Sequence, residues 1–236
     1  MPRRQFADVH QVYIDANVLV YLADETASPR LKTEAQRLLA LFQRYRQPQR
    51  SRRLQLLTSA WAVAEAHGVL YEKAMVSSGV PRPIHGGRER NVRYTIPPGQ
   101  AQLEKASQQL DRLLNELQAT TQFLLLNDAN PGATKVWQLV NNIARETAIY
   151  PTDSVHLALA LQSGCATLIA HDTDFLDKIE HCLDSFIRPY RQQEFSHIPN
   201  LPPFQACGVV NLPCNIPGKP SRRDGAREML SRLGFR

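Results

Sequence analysis

No uninterrupted apolar stretch in the 236 residues approaches the roughly 20 needed to span a bilayer. Met1-Pro2-Arg3-Arg4 leads into polar residues instead of an apolar signal core. A cytoplasmic protein with no membrane partner is expected. Cysteine is scarce, and Cys165, Cys182, Cys207 and Cys214 lie without close pairing, which argues against a disulfide scaffold and a zinc ribbon and reads as reduced thiols. There is no internal repeat. Acidic residues are outnumbered, 22 against 28 Lys and Arg for a net charge of +6, a balance that suits a polyanionic partner without identifying one. At 43% hydrophobic and 21% charged, the chain has neither a disordered nor a fibrous composition. Its length fits one domain with additions.

The apolar run at 12–14 reads as a buried strand and 18–22 as the helix after it. Leu31, Ala35, Leu38, Leu39 and Phe42 have helical spacing and run into a basic stretch from Arg44 to Arg53. A strand at 54–58 precedes a helix over 61–77, with Thr58-Ser59 as its cap. Pro, Gly and Arg crowd the segment 79–100, which reads as an inserted basic loop. Further helices are expected over 103–117, 134–147, 154–162 and 174–179, and strands at 122–126 and 166–170, with a possible edge strand at 185–187. The prolines after 189 predict an extended tail that packs weakly. Strands alternating with helices imply a parallel sheet covered on both faces. The division expected is a domain over 1–190 and a Pro-rich basic extension over 191–236.

Several carboxylates stand alone in stretches otherwise free of Asp, Glu, Lys and Arg. Asp15 is the only such charge between Asp8 and Asp24, Glu65 the only one between Arg53 and Glu72, and none lies between Asp153 and Asp172. Burying a lone carboxylate costs several kcal/mol even after relaxation, so each needs donors, a cation or a proton. Asp15 and Asp172 each end a strand, and Asp153 opens the helix leading to the second of these strands. In an open parallel sheet the functional crevice lies outside the carboxyl ends of the strands, where the strand order reverses. If these two strands are neighbours there, the carboxylates converge, and a hard divalent cation, Mg²⁺ or Mn²⁺, is the ordinary resolution.

Ile14-Asp15-Ala16-Asn17-Val18-Leu19, Glu65 within its helix, Thr152-Asp153-Ser154-Val155-His156-Leu157-Ala158 and Leu168-Ile169-Ala170-His171-Asp172-Thr173-Asp174-Phe175 closely resemble, in order, the motifs of PIN-domain nucleases, the VapC-like metal-dependent ribonucleases. The resemblance extends from about residue 12 to about residue 187. It implies a three-layer α/β/α sandwich with a central parallel sheet of four to five strands. It also implies an acidic site holding Mg²⁺ or Mn²⁺ for endonucleolytic hydrolysis of RNA, leaving a 5′-phosphate and a 3′-hydroxyl. By position, Asp15, Glu65, Asp153 and Asp172 are its catalytic and metal-holding set, with Asn17 and Asp174 in support. A toxin of a toxin-antitoxin pair is the commonest role that the resemblance implies, with an antitoxin peptide blocking the cleft and a homodimer. The pattern departs at Ala170, where the family has threonine, and in the inserted loop and tail.

Each residue also has a structural reading. Asp15 suits turn amides, Asp153 a helix first turn, and Asp172 with Asp174 a helix N-cap; Glu72 competes with Glu65; and His156 reads as a satisfied core histidine. Arg50, Arg52, Arg53, Arg88, Arg90 and Arg93 are candidate phosphate-backbone contacts flanking the acidic cleft, or solvated loop residues. The tail arginines around Met229, Leu230 and Leu233 suit a small amphipathic helix docking on a partner or second copy, or a basic arm. The rivals are a non-catalytic RNA-binding or scaffold module, an RNA-processing nuclease outside any toxin pair, and a small-molecule phosphatase. Asn17 disfavours the last, because the aspartyl-phosphate route calls for a second Asp there.

Overall fold

The computed structural model describes residues 8–24, 26–46, 52–80, 84–85, 88–89, 99–126, 133–198, 201–220 and 222–236. In chain order the elements are β1 (Asp8–Ile14), α1 (Ala16–Ala23), α2 (Pro29–Arg44), β2 (Arg52–Ser59), α3 (Ala60–Ser77), β3 (Ile84–His85), β4 (Arg88–Glu89), α4 (Gln100–Thr120), β5 (Phe123–Leu126), α5 (Ala133–Thr147) and α6 (Pro151–Gln162). They continue with β6 (Thr167–Ala170), α7 (Thr173–Cys182), a π-helical turn (Leu183–Ile187), α8 (Arg188–Glu194), β7 (Gln205–Gly208), β8 (Leu212–Pro213), β9 (Arg222–Arg223) and α9 (Ala226–Arg232).

Five strands form one parallel sheet in the order β5-β2-β1-β6-β7. Successive side chains on a strand face opposite ways, and the two cores divide on that alternation. Val12 and Ile14 of β1, Leu54 and Leu56 of β2, Ile169 of β6 and Cys207 of β7 pack with α1, α2, α3, α4 and α9. Tyr13, Leu57, Leu168 and Ala170 point the other way and pack with α5, α6 and α7. The expected three-layer α/β/α sandwich with a parallel sheet is the observed architecture.

Two expectations are corrected. Residues 185–187 are not an edge strand: they lie in the π-helical turn Leu183–Ile187, which continues α7 into α8 and buries Ile187 in the second core. The segment after 190 is not a weakly packed tail either. The sheet crosses that division, because β7 pairs with β6 from Thr167↔Gln205 to Ala170↔Gly208. α9 then docks on its own chain, placing Ala226, Met229, Leu230 and Phe235 in the first core. Pro202, Pro203, Pro217 and Pro220 lie between these elements, and Pro213 ends the two-residue strand β8. Within the inserted segment, β3 and β4 form a two-residue antiparallel ladder.

The strand order reverses between β1 and β6. The chain moves from β1 to β2 on one side and returns to β6 on the other, with Tyr13↔Leu168 and Ile14↔Ile169 in register. Asp15 N donates to the Ile169 carbonyl at 3.1 Å, and Thr58 Oγ1 donates to the Ile14 carbonyl at 3.0 Å. The carboxyl end of β1 is therefore pinned from both neighbouring strands.

Candidate active site

Asp15, the first residue after β1, is 4% exposed. It is the N-cap of α1, and its Oδ1 accepts the Val18 N–H at 3.2 Å. Asp172, two residues beyond β6, is the N-cap of α7, and its Oδ1 accepts from Phe175 N at 3.0 Å. Asp172 is the N-cap read from the sequence, and Asp15, read there as a partner of turn amides, caps α1 through the same three-residue bond; both bonds fix the carboxylates that make them. Asp153 is the acidic residue of the first turn of α6, where the helix dipole favours negative charge.

Glu65 of α3 reaches the site through His156 of α6, whose Nε2 lies 2.6 Å from Glu65 Oε2. His156 Nδ1 lies 3.0 Å from the Tyr13 hydroxyl, and that hydroxyl is 2.8 Å from Ser59 Oγ. Ser59 Oγ accepts the Ala62 N–H at 3.1 Å and so caps α3. A continuous polar chain thus runs through the buried end of the sheet from α3 to β1 to α6 and back to Glu65. Tyr13→Phe removes its centre without altering shape and leaves Ser59 and His156 each short of a partner. It is expected to cost about 1–3 kcal/mol in urea-induced unfolding, and an unchanged unfolding curve would show that the chain holds nothing.

The acids act on one another. Burial pushes the Asp15 carboxyl up to about 6; His156 and the backbone amides of Val18 and Asn17 oppose the rise, and Glu65 adds to it. Asp153 is also raised, first by burial and then by Asp172, with Glu65 adding and His156 and Lys178 opposing. Asp15, Glu65, Asp153 and Asp172 therefore share one electrostatic neighbourhood at the carboxyl edge of β1 and β6. Asn17 contributes to it through its backbone. Asp174 is drawn away: its side chain is exposed and pairs with Lys178 at 2.7 Å.

The donor set is hard oxygen, as Mg²⁺ or Mn²⁺ requires, and a cation would favour the charged forms that burial and Glu65 disfavour at both Asp15 and Asp153. Among the described residues, no group of three or more His, Cys, Asp and Glu side chains is drawn together closely enough to hold a metal ion. The chemistry of the set fits a cation, and the side chains close around one only with further convergence.

Two of the basic candidates, Arg52 and Arg53, are not gathered here. Arg52 and Arg53 are the first two residues of β2, at the amino end of the sheet and opposite the acids, where Arg52 donates to the Leu233 carbonyl at 2.7 Å. Arg88 lies in β4, while Arg50, Arg90 and Arg93 fall outside the described residues. Sequence reasoning passed over the Tyr13 hydroxyl and the role of His156 in holding Glu65, and read Ser59 only as a cap. The available signal was His156 three residues after Asp153, on the same helical face. His171, between β6 and Asp172, packs its ring at 5.1 Å edge-on to Tyr21, and its Nδ1 is buried with no partner among the described residues.

No family model matches the chain, and no curated protein matches it. Solved structures similar to it include VapBC2 from Rickettsia felis bound to a DNA fragment from their promoter, at 12% identity over 84% of this chain and 98% of that one, with a TM-score of 0.41. Another is VapC20 from Mycobacterium tuberculosis, a sarcin-ricin loop cleaving toxin, at 14% identity over 70% of this chain and 92% of that one, with a TM-score of 0.40. The chain resembles PIN-domain nucleases in its motif order and its parallel α/β architecture.

Proposed function

We propose that the protein is a divalent-metal-dependent endoribonuclease that hydrolyses RNA phosphodiester bonds. The observation that carries this reading is that Asp15 and Asp172 follow the carboxyl ends of adjacent parallel strands at the reversal of strand order, with Asp153 and Glu65 acting on the same neighbourhood. In open α/β sheets that crevice is where ligands bind. Asp15, Glu65, Asp153 and Asp172 would hold Mg²⁺ or Mn²⁺. When bound, such an ion polarises the phosphodiester and makes water acidic enough to attack near neutral pH.

The chain's own residues do the positioning. The two caps hold the Asp15 and Asp172 carboxylates in place through their Oδ1 atoms. His156 holds Glu65 by one oxygen and sets the direction of the other, which serves as the proton acceptor for the attacking water. The role proposed, again by resemblance, is the toxin of a toxin-antitoxin pair acting as a homodimer, with an antitoxin peptide as its inhibitor. The uncrowded carboxylates favour one second reading, an RNA-binding module without turnover.

The test is incubation of labelled structured and single-stranded RNAs with the purified protein in Mg²⁺, Mn²⁺ or EDTA. Internal cuts bearing 5′-phosphates, present with either ion and absent with EDTA, are expected. A folded protein that binds both RNAs and cuts neither moves the second reading ahead.

A further inference from the structure

α2 and α9 lie side by side and run in the same direction along the sheet. At one end Gly225, the N-cap of α9, bridges to Gly208 of β7, and Arg227 pairs with Glu34 of α2 at 3.3 Å. At the other end Arg44 donates to the Arg236 carbonyl at 2.7 Å. An open groove of about 1160 Å³ lies between the two helices.

Its walls are arginine. Arg30, Arg37 and Arg44 line it from α2, and Arg227, Arg232 and Arg236 from the opposite side. The α2 arginines are seven residues apart, close to two helical turns, so they leave one face in a row that spans about 21 Å at 1.5 Å per residue. Two glutamates, Glu34 and Glu228, share the lining. Glu34 is divided between Arg37 and Arg227, and Arg232 is met by Asp224 and Glu228. Arg30 has no carboxylate partner among the described residues. Packing does not call for this row, since Met229, Leu230 and Phe235 already close the core beneath it.

A 21 Å row is too long for one small anion. It spans several successive phosphates of a nucleic-acid backbone, each carrying one negative charge, and the guanidinium fork suits phosphate oxygens. The groove also has a direction. Its Val209, Val210 and Asn211 directly follow β7, whose last residue Gly208 is in register with Ala170, two residues before Asp172. We propose that the groove between α2 and α9 binds the sugar-phosphate backbone of an RNA strand and leads it to the carboxyl edge of β6. This rests on the nuclease reading only for the choice of RNA as the polyanion and for the cut at that edge.

The test is fluorescence anisotropy of a labelled 20-nucleotide RNA on the full chain in the Asp15→Asn background, with and without Arg30→Glu/Arg37→Glu. These exposed side chains lie outside the acidic site. The double substitution is expected to weaken binding about tenfold or more at low salt and to make the salt dependence of log Kd shallower by about 1, while Arg30→Lys/Arg37→Lys retains most of the affinity. With Asp15 intact, the charge-reversed protein is expected to cut a dinucleotide as wild type does and the 20-mer more slowly. Unchanged affinity and salt slope would overturn the groove, as would undiminished cutting of the 20-mer, which leaves the nuclease standing. A DNA duplex that competes better than the RNA would also overturn it. Groove-dependent RNA binding by a wild type that cuts nothing sinks the nuclease and keeps the groove.

Discussion

Asp15→Asn is expected to lower RNA cleavage by about three orders of magnitude or more and, in metal-free buffer at pH 7.5, to make the protein more stable. The first effect follows from removing an anionic ligand of the cation. The second follows from burial. The folded protein holds the Asp15 proton up to about 6 against an ordinary 3.8, so the folded state binds more protons than the unfolded one between these values, and wild-type stability declines as pH rises through that window. The ionised carboxylate then costs on the order of 3 kcal/mol at pH 7.5, which asparagine does not incur. Asparagine is also a good N-cap, so the bond from Val18 is kept. Urea unfolding of both proteins at pH 3.5 and 7.5 measures the difference: near zero at the lower pH and favouring the variant at the higher. A variant destabilised at both would mean that Asp15 serves the fold first.

Truncation before Pro203 is expected to abolish cooperative folding. It removes the whole of β7, the edge strand beside β6, and buried Phe204, Cys207, Val209, Ala226, Met229, Leu230 and Phe235. Side chains of this kind contribute about 1.5–3 kcal/mol each when fully buried. Their loss together is as large as the roughly 5–15 kcal/mol that holds a domain folded. Dispersed amide proton resonances and a sharp thermal transition should both be lost. A truncated chain that keeps them would restore the division at residue 190.

Where the two predictions meet is also where the sequence was readable and where it was not. Asp15 and Glu65 stood out because each interrupts a long uncharged stretch, and Asp153 and Asp172 because they bound one; a buried segment tolerates such a charge only where it finds a partner. The Asp172 cap was legible because it is local, three residues from carboxylate to amide. β7 was hidden: Gln205–Gly208 is four residues long, has little β-branched or aromatic content, and sits among prolines that mark a loop in any local reading. Its pairing with β6 is made across 38 residues. The π-helical turn was misread for a similar reason, since Ser185-Phe186-Ile187 matches a strand by residue type and only its position between two helices makes it helical. The link from Tyr13 to His156 spans 143 residues, and no spacing rule joins a strand tyrosine to a helix histidine. Arg52 and Arg53 misled because charge near a loop says nothing about which end of the sheet the loop serves.

The most direct measurement is calorimetric titration of Mn²⁺ into the wild-type protein and into Asp15→Asn at pH 7.5, with melting temperatures recorded alongside. Saturable binding by the wild type and a melting temperature that rises with Mn²⁺, both absent from the variant, are the expected result. Equal binding by both proteins, or none by a folded wild type, would contradict a metal-holding acidic site at the carboxyl edge of β1 and β6.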